Sequence, residues 1–361
     1  MPVSDTTPRN RKAYAKAGAY AIIPAMKVSE LGEFGLLELL GEIVGKSRNA
    51  GFASWQNLLI GIGDDAAVWR DDSPIHLATT DSLVEGTHFE LNTIGWEELG
   101  WKAIAVNLSD IAAMGGTPRY ALISLALPGS LETDSIYQLY QGMVQIADHF
   151  QVAIVGGNIT SASKVVINIS IWGSLESPFL LTRTAAAPGD QVAVTGYLGA
   201  SAAALKMLKQ KLNFSTETNQ SLRKAHFKPM PRVNEGQILL QQGVKTAIDI
   251  SDGLLADLAH VCRASKVSAT INKDAVPVHP AVQASFESDY YYLALSGGED
   301  YELLFTAPGH TVDQVKRAIS CPVTVIGEIT AGTPGEVSVI DSTGKSIPWQ
   351  QIGWEHFKSQ L

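Results

Sequence analysis

Aspartates in small, turn-prone surroundings recur along the chain: Gly63-Asp64-Asp65, Thr79-Thr80-Asp81-Ser82, Asn107-Leu108-Ser109-Asp110, Asp249-Ile250-Ser251-Asp252-Gly253 and Glu299-Asp300. Singly, each group reads as a helix cap or a closed turn, the ordinary job of aspartate beside glycine and serine. Several, however, adjoin apolar strand-like runs, where an unpaired carboxylate is expensive to bury. Carboxylates gathered in one cleft repel one another and raise each other's pKa unless cations are shared among them. Magnesium suits such a set, because it takes hard oxygen ligands from a few carboxylates and completes its octahedron with water and phosphate oxygens. The set therefore points to a polyphosphate substrate and to phosphoryl transfer, which needs mainly positioning and charge neutralisation.

Two better-known phosphate signatures fail on inspection. Gly61-Ile62-Gly63-Asp64-Asp65-Ala66, with Asp81 about 20 residues on, superficially fits a dinucleotide fingerprint. Only residues 67–74 separate it from the next strand, too few for the crossover helix that fingerprint requires. Gly41-Glu-Ile-Val-Gly45-Lys46-Ser47 is one residue short of a Walker A loop and lies in a helical pattern. Glycine turns remain as phosphate cradles: Gly156-Gly157-Asn158 after a buried strand, and Gly196-Tyr-Leu-Gly199 between a strand and a helix whose N-terminus favours anions. Close packing explains the second equally well. Arg183 ends the first half of the chain, where its guanidinium either neutralises a transferring phosphate or lies on the surface.

The elements that must position these groups follow from apolar periodicity. Leu36, Leu37, Leu40, Ile43 and Val44 recur at helical spacing. Further helices are expected over 101–114, stopped by Gly115, Gly116 and Pro118, over 135–149, 201–211 and 254–264. Strands are expected over 75–80, 120–127, 152–155, 165–173, 191–195, around 247–253, and over 269–272, 302–306, 323–328 and 337–340, with a polar loop through Asn219. The turn-rich stretch Ala185-Ala-Ala-Pro188-Gly189-Asp190 marks a boundary. The expected organisation is a mobile arm over 1–28, an N-terminal domain over 29–187 and a C-terminal α+β domain over 188–361.

A chain of 361 residues exceeds what one core usually serves. Its 36 acidic and 27 basic residues give a net charge of −9, which argues against a broad nucleic-acid or anionic-membrane surface. Cys262 and Cys321 fit neither a disulfide framework nor a zinc cluster, and no apolar run approaches ~20 residues. With no basic-then-apolar start, a cytoplasmic protein is expected.

Several segments, in order, resemble the thiamine-monophosphate kinase family, within the superfamily of aminoimidazole ribonucleotide synthetase and selenophosphate synthetase. They are Gly61-Ile-Gly63-Asp64-Asp65-Ala66, Thr79-Thr80-Asp81-Ser82-Leu-Val-Glu-Gly86-Thr-His88-Phe89, Lys102-Ala-Ile-Ala-Val-Asn107-Leu-Ser-Asp110, Val155-Gly-Gly157-Asn158, Leu181-Thr-Arg183, Ala247-Ile-Asp249-Ile-Ser251-Asp252-Gly253-Leu254 and Leu295-Ser-Gly297-Gly298-Glu299-Asp300-Tyr301-Glu302-Leu303. The resemblance covers roughly residues 30–357. It implies a synthetase-like two-domain α+β architecture whose N-terminal mixed sheets pair into a barrel in a homodimer, with the active site between the domains. It implies ATP-dependent phosphorylation of thiamine monophosphate to thiamine diphosphate with several magnesium ions. By the same resemblance Asp65, Thr79, Thr80, Asp81, Asp110, Asn158, Asp249 and Asp252 would ligate magnesium. Gly157, Asn158, Arg183 and Ser251 would contact ATP, and His88, Glu299 and Trp354 the thiamine phosphate, with Asp110, Arg183 and Asp252 at the reacting phosphates. Asn158 stands where many members have aspartate, which removes one charge from the metal set.

The implied acceptor is a phosphate monoester, with a second pKa of ~6, and needs no general base. Trp354 is suited to stack on a cationic thiazolium or simply to anchor the C-terminus. Rival readings are a ring-closing synthetase of purine synthesis and a sensor that binds without turnover. Selenophosphate synthetase would need an early reactive cysteine, and no cysteine precedes Cys262.

Overall fold

The computed structural model describes residues 26–49, 51–60, 62, 67–70, 75–287 and 289–349. Asp65 with its glycine turn, Trp354 and most of the expected N-terminal arm lie outside the described residues.

Helix α1 (Val28–Ser47) kinks at Gly32, whose φ is 74°. A short helix α2 (Ala53–Asn57) leads into a two-stranded ladder of β1 (Leu58–Ile60) and β2 (Val68–Trp69). The first large sheet has the order β3 (Ile75–Val84), β6 (Val166–Leu175), β4 (Thr117–Leu127), β5 (Ala153–Ser161), antiparallel except for the β4–β5 pair. Its residues alternate between a buried face and an exposed face, as a pleat with one face packed must. Helices α3 (Trp96–Ala113) and α4 (Thr133–His149) lie against it.

Helix α3 is apolar almost all round and accordingly buried on nearly every face, from Leu99 through Ala113. Its start is marked by Glu98, which accepts a hydrogen bond from the Gly95 amide at 3.0 Å, and its end by Gly115 in the left-handed region with φ 74°. It crosses α4 at a pair of glycines. A Cβ on Gly100 would stand 1.8 Å from the Leu139 carbonyl oxygen, and one on Gly142 would stand 1.9 Å from that of Glu97.

The second large sheet runs β13 (Ser346–Ile347), β12 (Val337–Ile340), β9 (Ser268–Asn272), β11 (Val323–Thr330), β7 (Gln191–Thr195), β10 (Leu303–Ala307), β8 (Thr246–Asp249). Only β9 and β12 pair in parallel. Around it lie α5 (Ala200–Gln210), α6 (Thr216–Phe227), α7 (Val233–Gln241), α8 (Leu254–Ser265), α9 (Pro280–Ser285), α10 (Tyr290–Ser296) and α11 (Gly309–Ala318). Helix α3 also packs on α7, α6 and β8, so it belongs to both halves of the molecule. Among the described residues no helix is long and apolar enough to cross a membrane.

Two expectations need correction. The strand expected to stop near residue 155 continues to Ser161, so Gly156-Gly157-Asn158 lies inside β5 and forms no turn. A register shift in the β4–β5 ladder, pairing Ala121 with Ile154 and Leu122 with Gly156, absorbs Val155 and lets pairing resume beyond the glycines. The polar loop expected through Asn219 stops at Ser215, which starts helix α6 and whose Oγ accepts from the Thr218 amide at 3.1 Å. Only Leu222, His226 and Phe227 of that helix are buried, too few for a visible period.

Candidate active site

Strand β3 alternates, and the alternation sorts its functional residues. Thr79 and Asp81 share the face that looks toward α3, in register with the buried Ile171 and Ile169 of β6. Thr79 Oγ1 donates to Asp110 Oδ2 at 2.5 Å. Asp110 is at the C-terminal end of α3, and one residue before it Ser109 Oγ donates to Asp249 Oδ2 at 2.7 Å. Asp249 closes β8, so the first sheet, α3 and the second sheet each bring one carboxylate to the same place.

Electrostatics shows how close these groups are. Burial, with repulsion from Asp110, pushes the Asp81 carboxyl up to about 6. Burial and then repulsion from Asp110 push Asp249 up to about 7, against the opposing pull of the Ser109 hydroxyl and Arg183. Burial also raises Asp110, offset by Thr79 and by Arg183. Arg183 is itself exposed. It reaches this spot because Thr182 pairs with the start of β8: the Thr182 amide donates to the Lys245 carbonyl at 2.9 Å, and the Ala247 amide to the Thr182 carbonyl at 3.2 Å.

Three carboxylates that repel one another, balanced by one arginine, form a site with excess negative potential. Its donor set is all hard oxygen, which suits magnesium. Among the described residues no three His, Cys, Asp or Glu side chains stand close enough to hold a metal by themselves.

The turn after β8 is shaped by a residue that sequence reasoning missed. Asp257, buried in α8, accepts with one oxygen, Oδ2, from the amides of Ser251 at 3.1 Å, Asp252 at 3.2 Å and Gly253 at 3.1 Å. Asp249 and Asp252 are both near enough to Asp257 that their charges raise its carboxyl, after burial as the largest cause.

The second cluster lies along α3 from the first. Lys102, 2% exposed at its side chain, meets Glu299 Oε1 at 2.8 Å, and His226 Nδ1 stands 3.4 Å from Glu299 Oε2. His88, whose Nδ1 accepts from the Val84 amide at 3.1 Å, lies in the electrostatic neighbourhood of Glu299. The structure thus brings His88 and Glu299 together.

Other expected residues are placed elsewhere. Thr80 points to the exposed face of the sheet, donating to the Ile169 carbonyl at 3.0 Å and accepting from Ser170 Oγ at 3.0 Å. Its side chain is on the wrong side of the pleat to join Asp81. Asn158 also lies on that face, in one cross-strand row with Ser124, Asn168 and Ser82. The single chain therefore does not bring Asn158 to the aspartates. Gly157 sits on the opposite face, where a Cβ would stand 1.8 Å from the Ile123 carbonyl oxygen. The anion site expected at the start of α5 is filled from within: Asp300 accepts from the amides of Gly199 at 2.8 Å and Ser201 at 3.4 Å. Burial drives the Asp300 carboxyl up to about 8, and its capping role removes it from the metal set.

Residues 63–175 match the family described as AIR synthase related protein, N-terminal domain, and residues 187–340 match AIR synthase related protein, C-terminal domain. Fold and sequence thus define a two-domain protein of the AIR synthase related class. Within that class, the thiamine-monophosphate kinase of Bacillus subtilis is 34% identical over 307 residues, 83% of this chain and 94% of its own. The crystal structure of thiamine-monophosphate kinase from Stenotrophomonas maltophilia superposes with a TM-score of 0.76 at 33% identity, covering 88% of this chain and 98% of that one. AaThiL, solved in complex with AMPPCP and TMP, superposes with a TM-score of 0.70 at 34% identity, covering 93% and 100%. The chain belongs to the thiamine-monophosphate kinase family.

Proposed function

We propose that this chain transfers the γ-phosphoryl group of ATP directly to the phosphate of thiamine monophosphate, giving thiamine diphosphate and ADP. The observation that carries this reading is the convergence of Asp81, Asp110 and Asp249, from three different elements, beside Arg183. The kinship with proteins of that name, one of them solved with AMPPCP and TMP, supports the choice of both substrates.

The carboxylates of Asp81, Asp110 and Asp249, with Asp65 and Asp252, are the residues to hold magnesium, which when bound supplies charge neutralisation for the polyphosphate. Thr79 fixes the Asp110 carboxylate by its hydrogen bond, and Ser109 fixes that of Asp249. Arg183 offers a guanidinium to the transferring group, where charge is spread over equatorial oxygens. The Asp257-bound turn presents Ser251 and Asp252 toward the nucleotide. His88 and Glu299 receive the thiamine portion, with Trp354 as a further contact. No side chain needs to remove a proton, because the acceptor phosphate is largely dianionic at neutral pH.

The domains are assigned to 29–187 and 188–361, with the site between them. A homodimer through the exposed face of the first sheet, the face that carries Thr80 and Asn158, and a cytoplasmic location complete the reading. The test is ADP release with magnesium-ATP and thiamine monophosphate, with thiamine diphosphate identified by chromatography. Product that requires both substrates and vanishes with chelator is expected. ADP released only with formylglycinamidine ribonucleotide would instead make the chain a ring-closing synthetase, and silence with both would make it a binding protein.

A further inference from the structure

Lys102 is a fully buried lysine in an otherwise apolar stretch of α3, with Trp101 before it and Ala103, Ile104 and Ala105 after it. A buried ammonium is costly unless paired. Among the described residues its ion-pair partner is Glu299, whose Oε1 lies 2.8 Å from the Lys102 nitrogen. The two come from different sheets' territory: Lys102 from the helix under the first sheet, Glu299 from the segment between α10 and β10.

That segment is held in an unusual shape. Glu299 has φ 64° and Tyr301 has φ 51°, left-handed values that non-glycine residues seldom adopt. The Glu299 amide donates to the Ser251 carbonyl at 2.8 Å, and the Tyr301 amide to the Ile250 carbonyl at 2.9 Å, which pins the segment to the turn bearing Asp252. Such strain persists where the surroundings over-determine it, commonly at functional sites.

The carboxylate is equally constrained. Oε1 is taken by Lys102, and Oε2 is 3.4 Å from His226 Nδ1. The same His226 nitrogen is 2.8 Å from Ser201 Oγ, so serine and glutamate compete for one ring nitrogen and no Ser–His–Glu relay exists. Burial keeps His226 neutral, so the positive charge opposite Glu299 is that of Lys102. The Glu299 side chain keeps 31% of its surface open, enough to meet a ligand.

Lys102 and Ser109 are seven residues apart on α3, two turns or about 10 Å. One helix therefore fixes a carboxylate of the second half at each end, Glu299 through Lys102 and Asp249 through Ser109.

We infer that Lys102 is a positioning residue for thiamine monophosphate: from α3 it holds the Glu299 carboxylate, ionised and in a single orientation, so that the free edge of that carboxylate accepts hydrogen bonds from the substrate. This rests on the reading of Glu299 as a substrate contact. Lys102 touches no substrate itself, so its effect passes through Glu299 alone and belongs to the acceptor, with ATP unaffected.

The test compares KM for thiamine monophosphate and for ATP in the wild type, Lys102→Met, Glu299→Gln and the double variant, each checked for folding by thermal melting. Each single variant is expected to raise KM for thiamine monophosphate about tenfold or more, the size of effect of one charged hydrogen bond, with KM for ATP nearly unchanged. The double variant is expected to be no worse than the poorer single one. An unchanged KM in Lys102→Met, an equal rise for ATP, or effects that multiply in the double variant would overturn the inference. An unaltered Glu299→Gln would instead remove Glu299 from the substrate site. If Lys102→Met fails to fold, the double variant, which leaves no buried charge unpaired, takes its place: a KM equal to that of Glu299→Gln supports the inference, and a further rise or a failure to fold overturns it.

Discussion

Ser109 and Asp249 are 140 residues apart in sequence, yet the serine hydroxyl donates to the aspartate carboxylate at 2.7 Å. This bond ties the helix that carries Asp110 to the strand that ends in Asp249. A hydrogen bond to a charged group contributes about 1.5 to 3 kcal/mol. Ser109→Ala is therefore expected to lower turnover about tenfold and to raise the magnesium concentration needed for half-maximal rate, measured by steady-state kinetics at varied magnesium. An unchanged magnesium dependence would show that Asp249 needs no such support.

Asp257 differs from these residues, because its hydrogen bonds go to main-chain amides. Asp257→Ala removes the oxygen that three amides share. A loss of about 2 to 3 kcal/mol is expected, seen as a lower thermal midpoint together with reduced turnover. Full activity at a lowered midpoint would separate the turn's stability from its catalytic use.

His226 gives the pH dependence. Burial, with Lys102 nearby, lowers its pKa from 6.5 to about 3, although Glu299 pulls the other way. Between those values the unfolded chain binds a proton that the folded chain does not, so this residue's contribution is full above about 6.5 and is lost as pH falls toward 3. The ring nitrogen shifts of His226 should show a neutral imidazole throughout pH 5 to 8 by NMR. A titration near 6.5 would mean that its pocket is open to water.

The α3–α4 crossing is the scaffold beneath the site. Gly100→Ala places a methyl group 1.8 Å from the Leu139 carbonyl oxygen. The helices must separate, at a cost of about 1 to 3 kcal/mol or more, and a fall in thermal midpoint measures it. A midpoint equal to the wild type's would mean that the helices do not approach so closely.

Much of this was legible in the residues. Asp81, Asp110 and Asp249 announce themselves as charges beside apolar runs, and the strands and helices with a clear period were readable. Thr80 and Asn158 were less so, because the face on which a strand residue lands depends on pairing partners and on a bulge at Val155. Asp300 reads in sequence like the other aspartates, but the fold spends it on the start of α5. Lys102 did carry a signal, a lone lysine amid Ala, Ile and Val, yet its meaning required knowing that Glu299 lies opposite.

The most direct test of the account follows the γ-phosphate itself. With γ-labelled ATP, magnesium and thiamine monophosphate, the label should appear in thiamine diphosphate with the wild type. With a folded Asp110→Asn variant at saturating ATP, that transfer should fall by several orders of magnitude. Label released only as inorganic phosphate, or near-normal transfer by the variant, would contradict a phosphoryl-transfer centre built on Asp81, Asp110 and Asp249.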